Sequence, residues 1–465
     1  LPLLAALALS AGGTAAQEVL TPDEMRSAAL GATAAGAPET ALTLSDALLA
    51  RDPDDATALL LRARALRDLG RADAARRAAA EAWAAAESDA ERYRAAMVRA
   101  QALATDGAWT RAQIWLRRAA QLAPDARSRK VAERDYGYVR ARNPLGVQLT
   151  FDVAPTNNVN GGSSESEAVL RVFGDDFRVG LRGASRAISG MRYGAGANLT
   201  YRLDSDARSR TNVALSVYHE TYTISEDSKE RLREDARDLQ FDDDALPPEI
   251  VEGSDFAYSV LTAGIERRFF LREGGGLYET GLTLGQNWYG GDPLSRFVRL
   301  RGGKTFQLDG TARASVGVTL EYQDRQDVDD ATPLRLGVEL QRRAPVRGGG
   351  AITLGADLRR SLSDRASFDY VEAALSADWR LGEPVMGSVV TLSSEGRLRE
   401  FDSSPYRAGG RSDTSLTLGA ELFFPDIDAY GFAPLVEVEA LKRESNIDLY
   451  DTETVNLRLG FRSVF

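Results

Sequence analysis

The chain has 465 residues, no cysteine, one histidine and a formal net charge of −11. Lack of cysteine excludes disulfides, thiolate metal sites, cysteine nucleophiles and a lipid-modified N-terminal Cys. With His219 alone, a multi-histidine zinc site is impossible, and any serine–histidine–acid triad would have to use that residue.

The first residues, LPLLAALALSAGGTAAQ, form an apolar run ending in small side chains. They read as the h-region and cleavage site of a secretory signal peptide over 1–16, cut near Ala16 and too short to span a bilayer. No later stretch reaches the ~18 apolar residues of a membrane helix.

Residues 17–144 carry 20 Lys+Arg against 18 Asp+Glu, and the remainder 37 against 50. No broad basic face points to nucleic acid. Within 17–144, Gly36, Gly70 and Gly107 are spaced by 34 and 37 residues, and each is followed five residues later by Ala41, Ala75 or Ala112. Pro53 and Pro124 fall 17 residues past the first and last of these glycines. The glycine ends one helix, the alanine lets the next pack closely, and the proline marks a boundary. Ala29, Ala63 and Ala100 hold the small-residue position of the first helices. A period near 34 resembles the tetratricopeptide repeat, about three copies of which bury a shared core and leave a concave groove. An alanine-rich helical spacer is the plainer alternative.

From Pro144 onward the period becomes two. Leu334, Leu336, Val338 and Leu340 interleave with Arg335, Gly337, Glu339 and Gln341, and the pattern recurs along 311–323 and 350–362. Strands this long exceed those of soluble sheets and match the ~9–11 residues that cross a bilayer with tilt. Aromatics cluster near strand ends at Phe269-Phe270, Trp288-Tyr289, Trp379 and Phe423-Phe424, as interfacial girdles require. Residues 145–465 are therefore expected to form an antiparallel transmembrane β-barrel. Fifteen candidate strands can be marked between 145–153 and 454–465. Single-chain bacterial barrels are even-stranded. Either one early element fails to span, giving 14, or 167–187 is a hairpin turning at Gly174-Asp175, giving 16. Short turns such as Asp309-Gly310 and Gly382-Glu383-Pro384 alternate with longer loops, which places 224–256 outside the cell. That loop has 12 acidic and 4 basic residues, a solvated surface that divalent cations could bridge to lipopolysaccharide.

A signal peptide, tetratricopeptide-like array and C-terminal barrel together resemble the surface lipoprotein assembly modulators (Slam), or type XI secretion translocons. The most specific pieces flank the barrel: LGVQLTFDVAPTNNVN at its start, with Asn157, Asn158 and Asn160, and APLVEVEALKRESNIDLYDTETVNLRLGFRSVF at its end, with Ser445, Asn446 and Tyr450. The resemblance implies 14 strands and transport of particular lipoproteins or soluble proteins to the cell surface or medium. It also implies a Gram-negative outer membrane with the helical domain in the periplasm, and secreted cargo and the barrel assembly machinery as partners. Neither catalysis nor a cofactor is expected, and no nucleotide-binding loop appears. Glu437, Glu439, Arg458 and Arg462 are lumen candidates, with ordinary ion pairing in the wall as the plainer reading. Arg458, Gly460 and Phe465 read as the terminal assembly signal of outer-membrane barrels. An exopolysaccharide export porin, which also joins such repeats to a barrel, and a passive porin are the rival readings.

Overall fold

The computed structural model describes residues 20–172, 175–239, 251–272, 275–308, 312–328, 331–346, 348–407 and 409–464. The expected signal peptide and the Gly174, Asp309 and Gly310 turn positions lie outside them. The chain divides into two compact units at Asn143–Pro144.

The first unit is helical: α1 (Pro22–Ala34), α2 (Pro38–Arg51), α3 (Ala56–Asp68), α4 (Ala72–Ala85), α5 (Asp89–Thr105), α6 (Trp109–Gln121) and α7 (Ala126–Arg142). Gly36, Gly70 and Gly107 follow α1, α3 and α5 with φ of 71°, 73° and 71°, a left-handed turn that costs other residues energy. Side-chain caps start several helices. Thr21 and Glu24 form a reciprocal capping box on α1, as do Ser88 and Glu91 on α5, and Asp55 caps α3.

Alanine governs the packing. Ala29, Ala63, Ala41, Ala75 and Ala112 are wholly buried and Ala100 is 1 % exposed, so neighbouring helices approach closely at these positions. Two clusters result, one around Leu59, Leu66 and Ala79 and one around Leu116, Ala119 and Tyr136. Trp83 touches both and meets Trp115 edge-on, with ring centroids 5.0 Å apart. The Arg99 guanidinium lies 4.0 Å from the centre of the Trp115 ring. This is a tetratricopeptide-like array of helix pairs.

The second unit begins with β1 (Leu145–Thr156), β2 (Glu167–Val172), β3 (Asp175–Gly180), β4 (Gly190–Ser205), β5 (Ser209–Ile224) and α8 (Glu226–Leu239). It continues with β6 (Tyr258–Phe269), β7 (Leu277–Tyr289), β8 (Asp292–Gln307), β9 (Arg313–Arg325), β10 (Leu334–Pro345) and β11 (Ala351–Leu362). The last strands are β12 (Tyr370–Arg380), β13 (Val389–Phe401), β14 (Arg411–Phe423), β15 (Phe432–Ser445) and β16 (Thr452–Ser463).

Fourteen strands close into an antiparallel barrel in sequence order, with β1 between β4 and β16. The count of fifteen is corrected at 167–181. That span is not one wall strand but the hairpin β2–β3, which pairs only with itself. Six-residue strands are too short to cross a bilayer at ~3.3 Å per residue, so neither joins the wall. The sixteen-strand barrel is excluded for the same reason. With fourteen strands, residues 145 and 463 lie at one rim, here the terminal rim. The two longest connections, 157–189 and 225–257, lie at the opposite, far rim.

Both faces of the wall follow from its register. Leu149, Phe151, Leu215, Leu320, Leu358, Leu375 and Phe461 alternate with polar neighbours and point outward; Leu375 is 69 % and Phe461 68 % exposed. A continuous apolar band of this kind is costly in water and stable against hydrocarbon, which makes the barrel a transmembrane one. No helix among the described residues is long and apolar enough to cross a membrane; the strands do so. His219 shares the outward face with Leu215 and Val217, and its Nδ1 lies 2.8 Å from Ser259 Oγ.

Candidate functional site

At the far rim the structure brings together the two motifs that flank the barrel in sequence. Asn157 stands just past β1. Its Oδ1 accepts from Val455 N–H (2.8 Å), and its Nδ2 donates to the Glu453 carbonyl (3.1 Å). It thereby joins β1 to β16 where the ladder is sparse. That ladder pairs only at Asp152–Gly460, Val153–Leu459 and Thr156–Asn456 among the described residues, whereas β1 pairs with β4 continuously from Leu145 to Thr156.

Asn158 closes a turn by donating to the Gly162 carbonyl at 2.9 Å. Asn160 holds the returning chain: Nδ2 donates to the Ala184 and Arg186 carbonyls (2.6 and 2.9 Å), and Oδ1 accepts from Ile188 N–H (3.0 Å). Gly162 must lack a side chain here, because a Cβ would sit 2.5 Å from the Arg186 carbonyl oxygen. An apolar nucleus of Val159, Ile188, Ile224 and Phe256 binds this connection to the second long one. Polar contacts reinforce it: Asp235 accepts from Gly183 N–H at 2.8 Å and Arg231 donates to the Ala187 carbonyl at 2.9 Å.

The β15–β16 loop meets the same cap. Ser445 Oγ donates to Asp413 at 2.8 Å, and Asn446 Oδ1 accepts from Ser412 N–H at 3.1 Å. Ser163 donates to the Asp448 carbonyl (3.0 Å), Ser164 N–H to the Asp451 carbonyl (2.9 Å) and Val169 N–H to the Asp448 carboxylate (3.1 Å). Tyr450 stacks obliquely on Tyr406 and lies beneath the Arg411 guanidinium at 4.0 Å. Burial raises the Asp451 carboxyl above its ordinary range, against the Ser445 N–H hydrogen bond that lowers it, and nearby Asp448 adds like charge. Ser163, Asp448 and Asp451 were not legible as partners in the sequence, since nearly 290 residues separate Ser163 from the others.

The lumen candidates lie on the inward face. Arg458 pairs with Glu437 at 2.9 Å and reaches toward Asp152 at 3.9 Å; Arg462 grips Glu421 with two bonds of 2.6 and 2.7 Å. Glu439 is exposed and has no hydrogen bond or ion pair among the described residues. Gly460 faces Asp152 across the closing ladder. Phe465, the end of the expected assembly signal, lies outside the described residues.

Sequence reading missed a second inward cluster. Glu372, on β12, has no exposed side-chain surface and holds three arginines: Arg359 at 3.2 Å, Arg397 at 2.9 Å and Arg399. Three strands along the same wall, on β9, Glu321 receives Arg299 (2.6 Å), Arg335 (3.2 Å) and Gln323 (2.9 Å). Alternation marks these residues as inward, but only closure of the sheet shows which of them meet. Such a wall fixes charge on the inner face of the barrel; among the described residues no cluster of His, Asp and Glu could hold a metal ion.

No protein-family profile and no curated protein matches the chain. Among solved structures, the type III secretion translocator chaperone SycD of Yersinia enterocolitica is 21 % identical over 28 % of this chain and 93 % of its own, with a TM-score of 0.24. An outer-membrane channel of Pseudomonas putida F1 is 11 % identical over 68 % of this chain and 95 % of its own, with a TM-score of 0.32. Acinetobacter baumannii OccAB3 is 7 % identical over 68 % and 98 %, with a TM-score of 0.35.

Proposed function

We propose that this protein is an outer-membrane translocon of the surface lipoprotein assembly modulator type, moving specific lipoproteins or soluble proteins to the surface or medium of a Gram-negative cell. The observation that carries this reading is the union, in one chain, of a tetratricopeptide-like array with a barrel whose two family-like motifs interlock at the far rim. In this reading the helical array faces the periplasm; in sequence its last helix is followed directly by β1, which starts at the terminal rim. Cargo docks on the array and then passes through the polar lumen or along the wall. No nucleotide is required; binding and cargo folding supply the direction. The barrel assembly machinery inserts the protein, and lipid and lipopolysaccharide surround it.

Co-expression in a laboratory bacterium with proteins encoded beside it, scored by protease shaving of intact cells, tests the reading. At least one neighbour should reach the surface only when this protein is present. If none does, and purified protein conducts steadily in planar bilayers, a passive porin replaces the translocon. Export of a polysaccharide instead of a protein would favour the exopolysaccharide porin.

A further inference from the structure

Between α1, α3 and α5 lies a cavity of about 230 Å³. Leu60 and Leu61 give it an apolar floor, and Leu30 stands at its edge, 54 % exposed. Its charged groups are Arg26, Arg64, Arg94 and Glu91. Two of them are engaged. Arg26 donates to Asp55 at 2.8 Å and Asp23 at 2.6 Å. Glu91 accepts from the Glu87 and Ser88 N–H groups at 3.0 and 3.1 Å, closing the cap of its own helix. Arg67, one turn beyond Arg64, is held by Asp68 at 2.9 Å and by Gln101 of α5.

Arg64 and Arg94 have neither a hydrogen bond nor an ion pair among the described residues. Arg64 is half-buried, and its surroundings disfavour its charge through burial and through Arg67 and Arg94. A desolvated guanidinium without an acceptor is costly, and its planar fork matches a carboxylate with two parallel bonds. Two cations without a protein acceptor among the described residues, Arg64 half-buried on α3 and Arg94 exposed on α5, beside exposed and buried leucines, fit a chain bearing several carboxylates better than one terminal group.

We propose that this groove binds an acidic stretch of the transported protein, with an Asp or Glu side chain seated on Arg64, another on Arg94 and an apolar neighbour against Leu30 and Leu60. The proposal rests on the reading of the helical unit as the cargo-docking site and names the class of segment it takes.

The test uses the full chain in detergent and a fluorescent, end-blocked peptide alternating Glu and Leu, beside its Gln-for-Glu counterpart. Fluorescence anisotropy at low salt should show the Glu peptide binding about tenfold more tightly, with the difference shrinking as salt rises. Arg64→Gln should abolish the preference and Arg64→Lys should restore part of it. Arg51→Gln, an exposed position at the end of α2, should leave it intact. Equal binding of the two peptides, equal loss in Arg51→Gln, or preference for a Glu-free peptide with a free C-terminal carboxylate would each overturn the proposal. If charge preference disappears in Arg64→Gln while a dependent cargo still reaches the surface unimpaired, the groove does not dock cargo. If no cargo depends on the protein yet the peptide preference stands, the translocon reading fails and the groove's specificity remains.

Discussion

Among the described residues Glu372 is the most deeply buried carboxylate of the barrel's ion pairs. Its side chain is wholly buried among Arg359, Arg397 and Arg399; Asp357 and Glu395 share the first two, whereas Arg399 pairs with Glu372 alone among the described residues. Removing one member of a buried ion cluster leaves the others uncompensated. Glu372→Gln should therefore lower barrel stability by on the order of 3 kcal/mol, read as a lower temperature at which the folded band unfolds in semi-native gel electrophoresis. An unchanged transition would show that lumen water alone suffices for the arginines. Asn157 acts differently, since it supplies side-chain hydrogen bonds where the β1–β16 ladder has few of its own. Asn157→Ala should cost about 1–2 kcal/mol and speed proteolysis within 157–189. Asn157→Asp, which keeps only the acceptor, should fall between.

Helix caps decide how the first unit responds to acid. Backbone hydrogen bonds at Thr21 and Ser88 hold the Glu24 and Glu91 carboxyls below their ordinary range. A carboxyl lowered in the folded state contributes stability that is fully present above its unfolded pKa of about 4.3 and lost as pH falls through the lower folded value. Helical ellipticity at 222 nm should therefore fall below about pH 4.3, and the Glu24→Gln, Glu91→Gln double variant should show a shallower acid loss. An identical pH profile would remove the caps from the account. The glycine turns were legible as spacing alone, because a left-handed turn is a local demand that glycine meets best. The hairpin β2–β3 was half legible. Its two short strands could be marked, but not whether they join the wall, since that depends on partners far along the chain.

For the whole molecule, the distinction between fourteen wall strands and sixteen strands in total has a direct consequence. The hairpin rests on the far-rim cap, through Arg171 N–H to the Tyr406 carbonyl (3.1 Å) and Val169 N–H to Asp448, without contributing to closure. Replacing 167–180 by a short Gly-Ser linker should leave membrane insertion and heat-modifiable gel mobility intact. A chain that no longer inserts would place the hairpin in the wall.

Periodicity and the spacing of glycines and alanines by themselves determined a helical repeat array followed by an outward-apolar barrel. These properties are local: a helix or strand repeats its demands every few residues, and the bilayer imposes the same face on each strand. Only the tertiary structure decided the strand number, the joining of Asn157 to β16, the cap shared by Ser163 and Asp448, the arginines gathered on Glu372 and the unpaired Arg64. Each of these depends on which distant segments meet when the sheet closes or the helices stack. A single strand's alternation shows that a charge faces inward, but its partner is fixed by register and curvature, which no one strand contains.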